Sequence, residues 1–336
     1  MRTPRGEHET AGQSGFDPAG QSLAHLWEIV CACLDAREAG SVVEIGGRAG
    51  ELTRELADRA ARVGGRVAAI EPSPSRELVE LAAQRREVDL IRETSLEALG
   101  RIELPDAVIV DGDHNYYTVS EELGMIADRS RERGLPLLLL HDVGWPHARR
   151  DTYYAPERIP EPHRQQMVEN AALAPGEPGV APAGLRYRWA ASHEGGARNG
   201  VLTAIEDFVA RRDGARLAIV PAFFGLGVLW EVDSAWSGTV SDAIETWDRD
   251  PLLARLEEHR IANMVERCRH VQELGEIEAM RAERARRAEQ EQLLRAMLGS
   301  RAFAWGESLS RLRTGGKPVF SRRQVRRALG EREPTD

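Results

Sequence analysis

The chain has 336 residues, of which 42% are hydrophobic, so it is long enough to bury a sizeable core. Its formal net charge of −9, from 45 basic and 54 acidic residues, disfavours nucleic acid as a partner. The three cysteines argue against a disulfide framework, and no apolar run approaches the roughly 20 residues of a membrane span. Because the polar amino terminus also lacks the apolar region of a secretory signal, we expect a cytoplasmic protein.

Strand and helix patterns alternate along the first part of the chain. A polar leader over residues 1–20 is predicted to be disordered, and a helical pattern follows it over residues 21–39. Five strands and three helices come next, the strands at 41–45, 66–70, 88–91, 107–110 and 135–140 and the helices at 51–63, 75–86 and 119–133. Apolar strands that alternate with helices predict a doubly wound α/β domain with a mostly parallel sheet.

The alternation stops at residues 144–200, which hold seven of the 17 prolines. A segment of this length is too long for a simple connector and predicts a lid or an acceptor-binding insertion. A helix at 201–211 and two strands at 216–220 and 225–232 follow it. These strands are expected to form a hairpin that completes a seven-stranded sheet, in a domain that spans residues 21–235.

The carboxyl-terminal part of the chain is predicted to be helical and charged. A long charged helix is expected over residues 250–298, followed by a basic tail over 299–336. Between Arg295 and Arg327 there are nine basic residues and one acidic residue. Apolar side chains lie among these bases, namely Phe303, Trp305, Leu309 and Leu312. The pattern is compatible with a solvated helix face, with peripheral docking on the inner membrane surface, and with docking on a biosynthetic complex or a homo-oligomer.

A glycine-rich turn follows the first strand. Its pattern is E-x-G-x-x-x-G, formed by Glu44, Gly46 and Gly50, with a further glycine at Gly47. Glycines at such a turn allow the backbone to bend tightly and to approach a ligand closely. The pattern differs from the G-x-G-x-x-G of dinucleotide sites, where a helix amino terminus holds a pyrophosphate. A ligand with a cationic group and no phosphate fits better, since Glu44 supplies an acid.

Further polar residues follow the other strands of the predicted sheet. Glu71 comes after the second strand, where a carboxylate can accept the hydroxyls of a ribose. Ser95 comes after the third strand, where it either contacts an adenine ring or caps the short helix that follows.

Two acids and a histidine follow the fourth strand, and a histidine–aspartate pair ends the fifth. These residues are Asp111, Asp113 and His114, and then His141 and Asp142. Because ligands of a parallel sheet bind beyond the carboxyl ends of its strands, we expect Asp111, His141 and Asp142 to converge. The set suits a metal ion or a proton acceptor, and a hydrogen-bond network without either stays open.

The segments VVEIGGRAG, AAIEPS, PDAVIVDGDHNYY and LLLLHDVGWP resemble those of class I S-adenosylmethionine (SAM)-dependent methyltransferases. More narrowly, they are similar to the macrocin-type sugar O-methyltransferases and the cephalosporin-hydroxylase-like proteins. The resemblance covers about residues 25–145, with weaker support to about 232. The glycine-rich turn is common to all class I enzymes, whereas D-G-D-H after the fourth strand is typical of this group. The resemblance implies SAM as cofactor, with contacts from Glu44, Gly46, Gly47, Gly50, Glu71, Ser95 and Asp111.

The same resemblance implies a metal site and a catalytic base. In macrocin-type enzymes the first Asp of D-G-D binds Mg²⁺ together with two acids at the end of strand five, which places the metal at Asp111, His141 and Asp142. His141 stands where an acid is expected, and imidazole suits transition metals better, so the ion is Mg²⁺ or a transition metal. The family's base corresponds to Asp113, while His114 and His141 are further candidates.

The implied function is O-methylation of a hydroxyl on a sugar, a glycan or a glycosylated small molecule. Two alternatives are a hydroxylase-like or other non-methylating protein of the same fold, and a non-catalytic module that docks on a biosynthetic complex or membrane.

Overall fold

The computed structural model describes residues 21–301, 305, 306, 309 and 321–329. The predicted leader at 1–20 and most of the basic tail, including Phe303 and Leu312, lie outside the described residues. The chain divides into two compact units between Cys268 and Arg269.

The first unit contains a seven-stranded sheet. Its strands are β1 (Ser41–Ile45), β2 (Arg66–Ile70), β3 (Val88–Ile91), β4 (Ala107–Val110), β5 (Leu137–His141), β8 (Ala215–Val220) and β9 (Leu226–Glu231). The strand order is β3-β2-β1-β4-β5-β9-β8. The first five strands pair in parallel, whereas β9 is antiparallel to both β5 and β8. This order confirms the doubly wound, mostly parallel sheet and the hairpin that completes it.

Helices cover both faces of the sheet. They are α1 (Trp27–Ala36), α2 (Glu51–Val63), α3 (Arg76–Gln84), α4 (Ser95–Ala98), α5 (Tyr116–Arg129), α6 (Val201–Val209) and α7 (Ser237–Ile244), with 3₁₀ turns at Leu23–Leu26, Pro156–Arg158 and Glu161–His163. Alternate residues of one strand pack on opposite faces, as Val42 lies in one apolar cluster and Val43 in the other. The strands are therefore buried on both sides, which is why they are apolar throughout.

Two parts of the structure lie outside the regular alternation of strands and helices, namely the insertion and the carboxyl-terminal helices. The insertion contains an antiparallel hairpin of β6 (Met167–Leu173) and β7 (Leu185–Ala191), which pair with each other. The long helix α8 (Pro251–Gly299) follows the sheet and agrees with the charged helix predicted over residues 250–298, and a short helix α9 (Arg322–Ala328) comes after it. Among the helices that the structure describes, none is both long and apolar enough to cross a membrane.

Local capping moves the start of the helix that follows the site residues Asp113 and His114. Helix α5 begins at Tyr116, three residues before the predicted Val119, because the Asn115 side chain accepts a hydrogen bond from the Thr118 amide at 2.9 Å. His114 therefore lies immediately before a capped helix.

Candidate functional site

The predicted site residues lie at the carboxyl edge of the parallel strands. Strand β1 lies between β2 and β4, and β4 pairs with β5, so the ends of four strands meet there. The residues at or just beyond these ends are Glu44, Gly46, Gly47, Glu71, Asp111, Asp113, His114, His141 and Asp142.

The glycine-rich turn after β1 is packed against the end of β4. Gly46 has a φ of +95°, and a side chain there would overlap the carbonyl oxygen of Asp111. Gly50 has a φ of +81° and immediately precedes α2. A side chain at Gly47 would lie 3.0 Å from Leu78. These close approaches require glycine for the backbone path itself, and they form a turn without side chains at the strand edge.

An acidic cluster lies beside this turn. Glu44 is buried, and its Oε2 accepts a hydrogen bond from the Thr53 hydroxyl at 2.6 Å. Burial raises the pKa of Glu44 to about 7; the Thr53 hydrogen bond opposes this effect, and the charges of Asp111 and Glu71 add to it. A cationic ligand would offset the mutual repulsion of these carboxylates, so the donor set fits a ligand with a positive charge.

Glu71 is held in place by the backbone. Its Oε2 accepts a hydrogen bond from the Arg48 amide at 3.1 Å, and its Oε1 accepts one from the Ser73 amide at 2.9 Å. The carboxylate is thereby fixed between the loops that follow β1 and β2. Each oxygen retains a lone pair for a further donor.

Ser95 lies at the start of α4, but it does not cap this helix. The cap is Thr94, whose hydroxyl accepts a hydrogen bond from the Glu97 amide in a capping box. The interpretation of Ser95 as a helix cap was therefore wrong by one residue. Its hydroxyl lies near the buried Glu122; burial raises the pKa of Glu122 to about 8, and Ser95 reduces this effect. The adenine contact of Ser95 stays a prediction.

Asp111, His141 and Asp142 come together beyond β4 and β5. The Nδ1 atom of His141 lies 2.9 Å from Oδ1 of Asp111 and 3.6 Å from Oδ2 of Asp142. One ligand atom from each residue lies within 4.8 Å of the other two, a spacing compatible with one metal ion. Burial lowers the pKa of His141, but the charges of Asp142 and Asp111 outweigh it and raise the pKa to about 9.

The other nitrogen of His141 fixes the orientation of the ring. Nε2 lies 2.8 Å from the carbonyl oxygen of Phe223. Because a carbonyl oxygen only accepts, Nε2 carries the hydrogen and Nδ1 faces the two carboxylates. Nδ1 can then hold either a proton or a metal ion, and a backbone carbonyl behind the ring is the usual support of a metal-bound histidine.

Asp142 also contacts two further histidines. Its Oδ2 lies 2.9 Å from Nδ1 of His114, and its Oδ1 lies 3.9 Å from Nε2 of His147. Burial alone would raise the pKa of Asp142, but the charges of His141, His147 and His114 hold it well below its usual range. Asp142 has a φ of +59°, a strained conformation for a non-glycine residue, and it is the central carboxylate of the site.

The pKa values of the two histidines are shifted in opposite directions. For His114, burial lowers the pKa, but Asp142, Tyr154 and Asp111 outweigh it and raise the pKa well above 6.5. The pKa of His147 falls to about 3, mainly because of burial, with a further contribution from the charges of His114 and His141. His147 was not among the predicted site residues. The signal was present, as a histidine five positions after Asp142 in the loop that leaves β5.

Asp113 is directed into the start of α5. Its Oδ2 accepts a hydrogen bond from the Thr118 hydroxyl at 3.2 Å, and burial raises its pKa. This contact engages one oxygen within the protein.

The insertion is attached to the site through Asp151 and Thr152. Asp151 is buried and accepts hydrogen bonds from the amides of Tyr116 and Gly200, at 2.8 and 2.6 Å. The Thr152 amide donates to the carbonyl oxygen of His114 at 2.9 Å. These bonds hold the exposed Tyr154 beside His114, with its hydroxyl 3.1 Å from Nε2.

Comparison with known proteins finds a similarity over the part of the chain that carries this site. Residues 43–143 match the family model described as a methyltransferase domain. This part of the chain is similar to a methyltransferase domain. The match begins within β1 and ends just after β5, so it includes the turn, the acidic cluster and the three residues Asp111, His141 and Asp142. The match covers less than half of the chain, and the sheet order agrees with the class I methyltransferase fold that the sequence resemblance predicts.

Solved structures of methyltransferases are similar to the chain at low identity. The SAH-bound methyltransferase PaMTH1 of Podospora anserina is 15% identical, covers 69% of this chain and 100% of its own, and has a TM-score of 0.39. A putative caffeoyl-CoA O-methyltransferase of Staphylococcus aureus is 10% identical, with 62% and 83% covered and a TM-score of 0.40. A putative O-methyltransferase of Klebsiella pneumoniae is 14% identical, with 65% and 91% covered and a TM-score of 0.33. A search of curated proteins found no match.

Proposed function

We propose that this methyltransferase transfers the methyl group of SAM to a hydroxyl oxygen of a sugar, a glycan or a glycosylated small molecule. The observation that carries the proposal is the His114–Asp142 pair, which places an imidazole next to the acidic cluster of the methyltransferase domain. The acceptor oxygen forms a bond to the methyl carbon as the carbon–sulfur bond breaks, and the acceptor proton passes to a base. Holding these groups in line supplies most of the catalysis.

His114 is the base that the geometry favours among the three candidates. Both nitrogens of His141 are engaged within the protein, and its side chain is 1% exposed. Asp113 accepts a hydrogen bond from Thr118 through Oδ2, while its buried Oδ1 has no hydrogen-bond partner among the described residues and does not face the Tyr154 hydroxyl as His114 does. Within the part of the chain that the structure describes, the Nε2 atom of His114 contacts the hydroxyl of the exposed Tyr154 at 3.1 Å. An acceptor hydroxyl can take the place of the Tyr154 hydroxyl there. Asp142 orients the ring and stabilises the imidazolium that forms.

The cofactor is proposed to lie along the edge from β3 to β4. Glu44, with Gly46, Gly47 and Gly50, would hold the methionine end, and the acid would face its ammonium group. Glu71 would accept the ribose hydroxyls, Ser95 would contact the adenine, and Asp111 would lie near the methyl group.

A divalent ion is proposed at Asp111, His141 and Asp142. Two carboxylates and a neutral imidazole form a donor set that fits such an ion, and the imidazole favours a transition metal over Mg²⁺. An ion there would orient the acceptor oxygen and lower the pKa of its hydroxyl.

Aromatic rings of the insertion support a ring-shaped acceptor. Tyr154 is exposed beside His114, and His163 of the insertion packs on Tyr117 of α5 with ring centroids 4.7 Å apart. Such rings can stack on the apolar face of a sugar.

The reaction can be tested with full-length protein, SAM and a panel of sugars and glycosides. We expect formation of S-adenosylhomocysteine that depends on the acceptor, and a product with the new methyl group on oxygen by NMR. Acceptor turnover without S-adenosylhomocysteine would favour the hydroxylase-like alternative instead.

The carboxyl-terminal segment is proposed as a docking element for an anionic inner membrane surface. The support is its sequence, since the basic tail at 299–336 lies largely outside the described residues. Flotation with anionic liposomes at low and high salt tests the proposal against a chain that ends at Leu294. Equal binding by the two proteins would contradict it and would favour docking on a complex or a homo-oligomer.

The Glu71→Ala substitution is expected to weaken SAM binding by about 1–3 kcal/mol, the range for a charged hydrogen-bond partner. Calorimetry measures the change. Glu80→Ala, on the exposed face of α3, is the matched control and should bind as the wild type does. Unchanged affinity of the Glu71 variant would remove this residue from the ribose contact.

SAM affinity is expected to increase with pH up to about 7 and then to level off. Glu44 has a pKa of about 7, so below that pH it is neutral and must lose its proton before it can pair with the ammonium group of SAM. Calorimetry between pH 5.5 and 7.5 should show this rise for the wild type and a weaker, flatter curve for Glu44→Gln. A rise of the same size in both proteins would exclude Glu44 as its source.

A further inference from the structure

The turn between β8 and β9 has an unusual backbone. Phe223 and Phe224 have φ values of +50° and +65°, and Gly225 follows at +89°. Bulky residues seldom adopt the left-handed conformation, and two in succession persist only where their surroundings impose it. Some neighbouring group must therefore hold this turn.

Glu257, in the second turn of α8, is that group. Its Oε1 accepts a hydrogen bond from the Phe224 amide at 2.8 Å, and its Oε2 accepts one from the Phe223 amide at 3.1 Å. One carboxylate thus binds both amides of the strained residues. Phe224 is buried, so the turn is also packed in place.

Arg260 completes the arrangement from the next turn of the helix. Its Nε and a terminal nitrogen donate to the two oxygens of Glu257, at 2.7 and 2.6 Å. Its guanidinium also lies over the ring of Phe224, 4.5 Å from the centroid. This planar two-point contact fixes the orientation of the carboxylate.

The turn places a backbone carbonyl group against His141 of the candidate metal site. In this conformation the carbonyl oxygen of Phe223 lies 2.8 Å from Nε2 of His141. That contact keeps the hydrogen on Nε2 and leaves Nδ1 directed at Asp111 and Asp142. A chain of contacts therefore runs from Arg260 and Glu257, through the turn, to the central histidine.

We propose that Glu257 and Arg260 are positioning residues for His141, so that the first turns of α8 belong to the metal site. The inference rests on the divalent ion of the proposed function. Partners behind a metal-binding histidine typically affect ion affinity by about 10–100-fold, although they never touch the ion. The alternative is a structural role alone, in which Glu257 only holds the first turns of α8 against the turn between β8 and β9.

Titration of full-length protein with Co²⁺ distinguishes the two roles, since the visible absorption of this ion reports on its ligands. Glu257→Ala is expected to bind Co²⁺ up to about 10-fold more weakly than the wild type, the lower end of the range for groups hydrogen-bonded to the histidine itself, because Glu257 acts through the Phe223 carbonyl. SAM affinity should stay within about twofold. Glu257→Gln keeps one acceptor oxygen and should lose less. Glu258→Ala, at the exposed neighbouring position, is the control and should bind as the wild type does.

Two results would overturn the inference. One of them would also reject the proposed metal site, whereas the other would not. Wild-type protein that binds no Co²⁺ would reject the proposed metal site together with the inference. Co²⁺ affinity that is unchanged in Glu257→Ala, or that falls in parallel with SAM affinity and thermal stability in both Glu257 variants, would reject the positioning role alone.

Discussion

His114→Ala is expected to lower kcat by about 10²–10⁴-fold, the usual contribution of a general base, while SAM affinity stays within about twofold of the wild type. The substitution removes the imidazole whose Nδ1 lies 2.9 Å from Asp142 and whose Nε2 lies 3.1 Å from the Tyr154 hydroxyl. Steady-state kinetics on an acceptor that the panel identifies, with calorimetry for SAM, measures both effects. The loss should appear in kcat rather than in cofactor binding, because no atom of His114 belongs to the proposed SAM contacts.

The pH profile supplies an independent test of the same role. Asp142 raises the pKa of His114 above 6.5, and a base is active only after it has lost its proton, so wild-type kcat should increase as pH rises above neutrality. His259→Ala, at an exposed position of α8, is the control and should leave the profile unchanged. If His114→Ala keeps more than about a tenth of the wild-type kcat, His114 is not the base, and Asp113 becomes the next candidate.

Removal of divalent ions is expected to abolish activity, and their return should restore it. The ion would neutralise the paired charges of Asp111 and Asp142, which otherwise hold a proton on His141. Asp111→Asn should have the same effect, because it removes one of the two carboxylates. The dependence of activity on divalent ions can be measured by elemental analysis and by assays in EDTA, followed by addition of Mg²⁺, Mn²⁺ or Co²⁺. Full activity in chelator, with no metal in the purified protein, would leave the three residues as a proton-holding network.

A metal ion and a proton compete for Nδ1 of His141, so the affinity for the ion should change with pH in a defined direction. In the metal-free protein the pKa of His141 is about 9, against about 6.5 in an unfolded chain. The stabilisation from its ion pairs is therefore complete below pH 6.5 and is lost as pH rises through 9. Since a metal ion must displace this proton, ion affinity should increase with pH over the same interval.

Much of the sheet could be predicted because its signals are local. Strands β1 to β4 begin and end where the apolar runs do, since the parallel sheet is buried on both faces and polar or glycine residues mark its edges. The convergence of Asp111, His141 and Asp142 follows from the same topology, because neighbouring parallel strands end at one edge.

The parts that could not be predicted depend on contacts between distant segments. The β6–β7 hairpin was missed because Glu169, Asn170 and Arg188 interrupt the apolar pattern of its strands. Glu257 lies 116 positions after His141 in the sequence, in a helix whose charged residues resemble a solvated surface. Nothing in its periodicity indicates that one carboxylate binds the turn between β8 and β9.

Calorimetric titration of the full-length protein with SAM, S-adenosylhomocysteine and NADH tests the central claim most directly, because it needs no knowledge of the acceptor. The glycine-rich turn, the acidic cluster and the fixed carboxylate of Glu71 predict that SAM and S-adenosylhomocysteine bind at one site per chain. NADH should bind more weakly than either, since the acids at the turn repel its pyrophosphate. Tighter binding of NADH than of SAM would contradict the assignment of this site to methyl transfer.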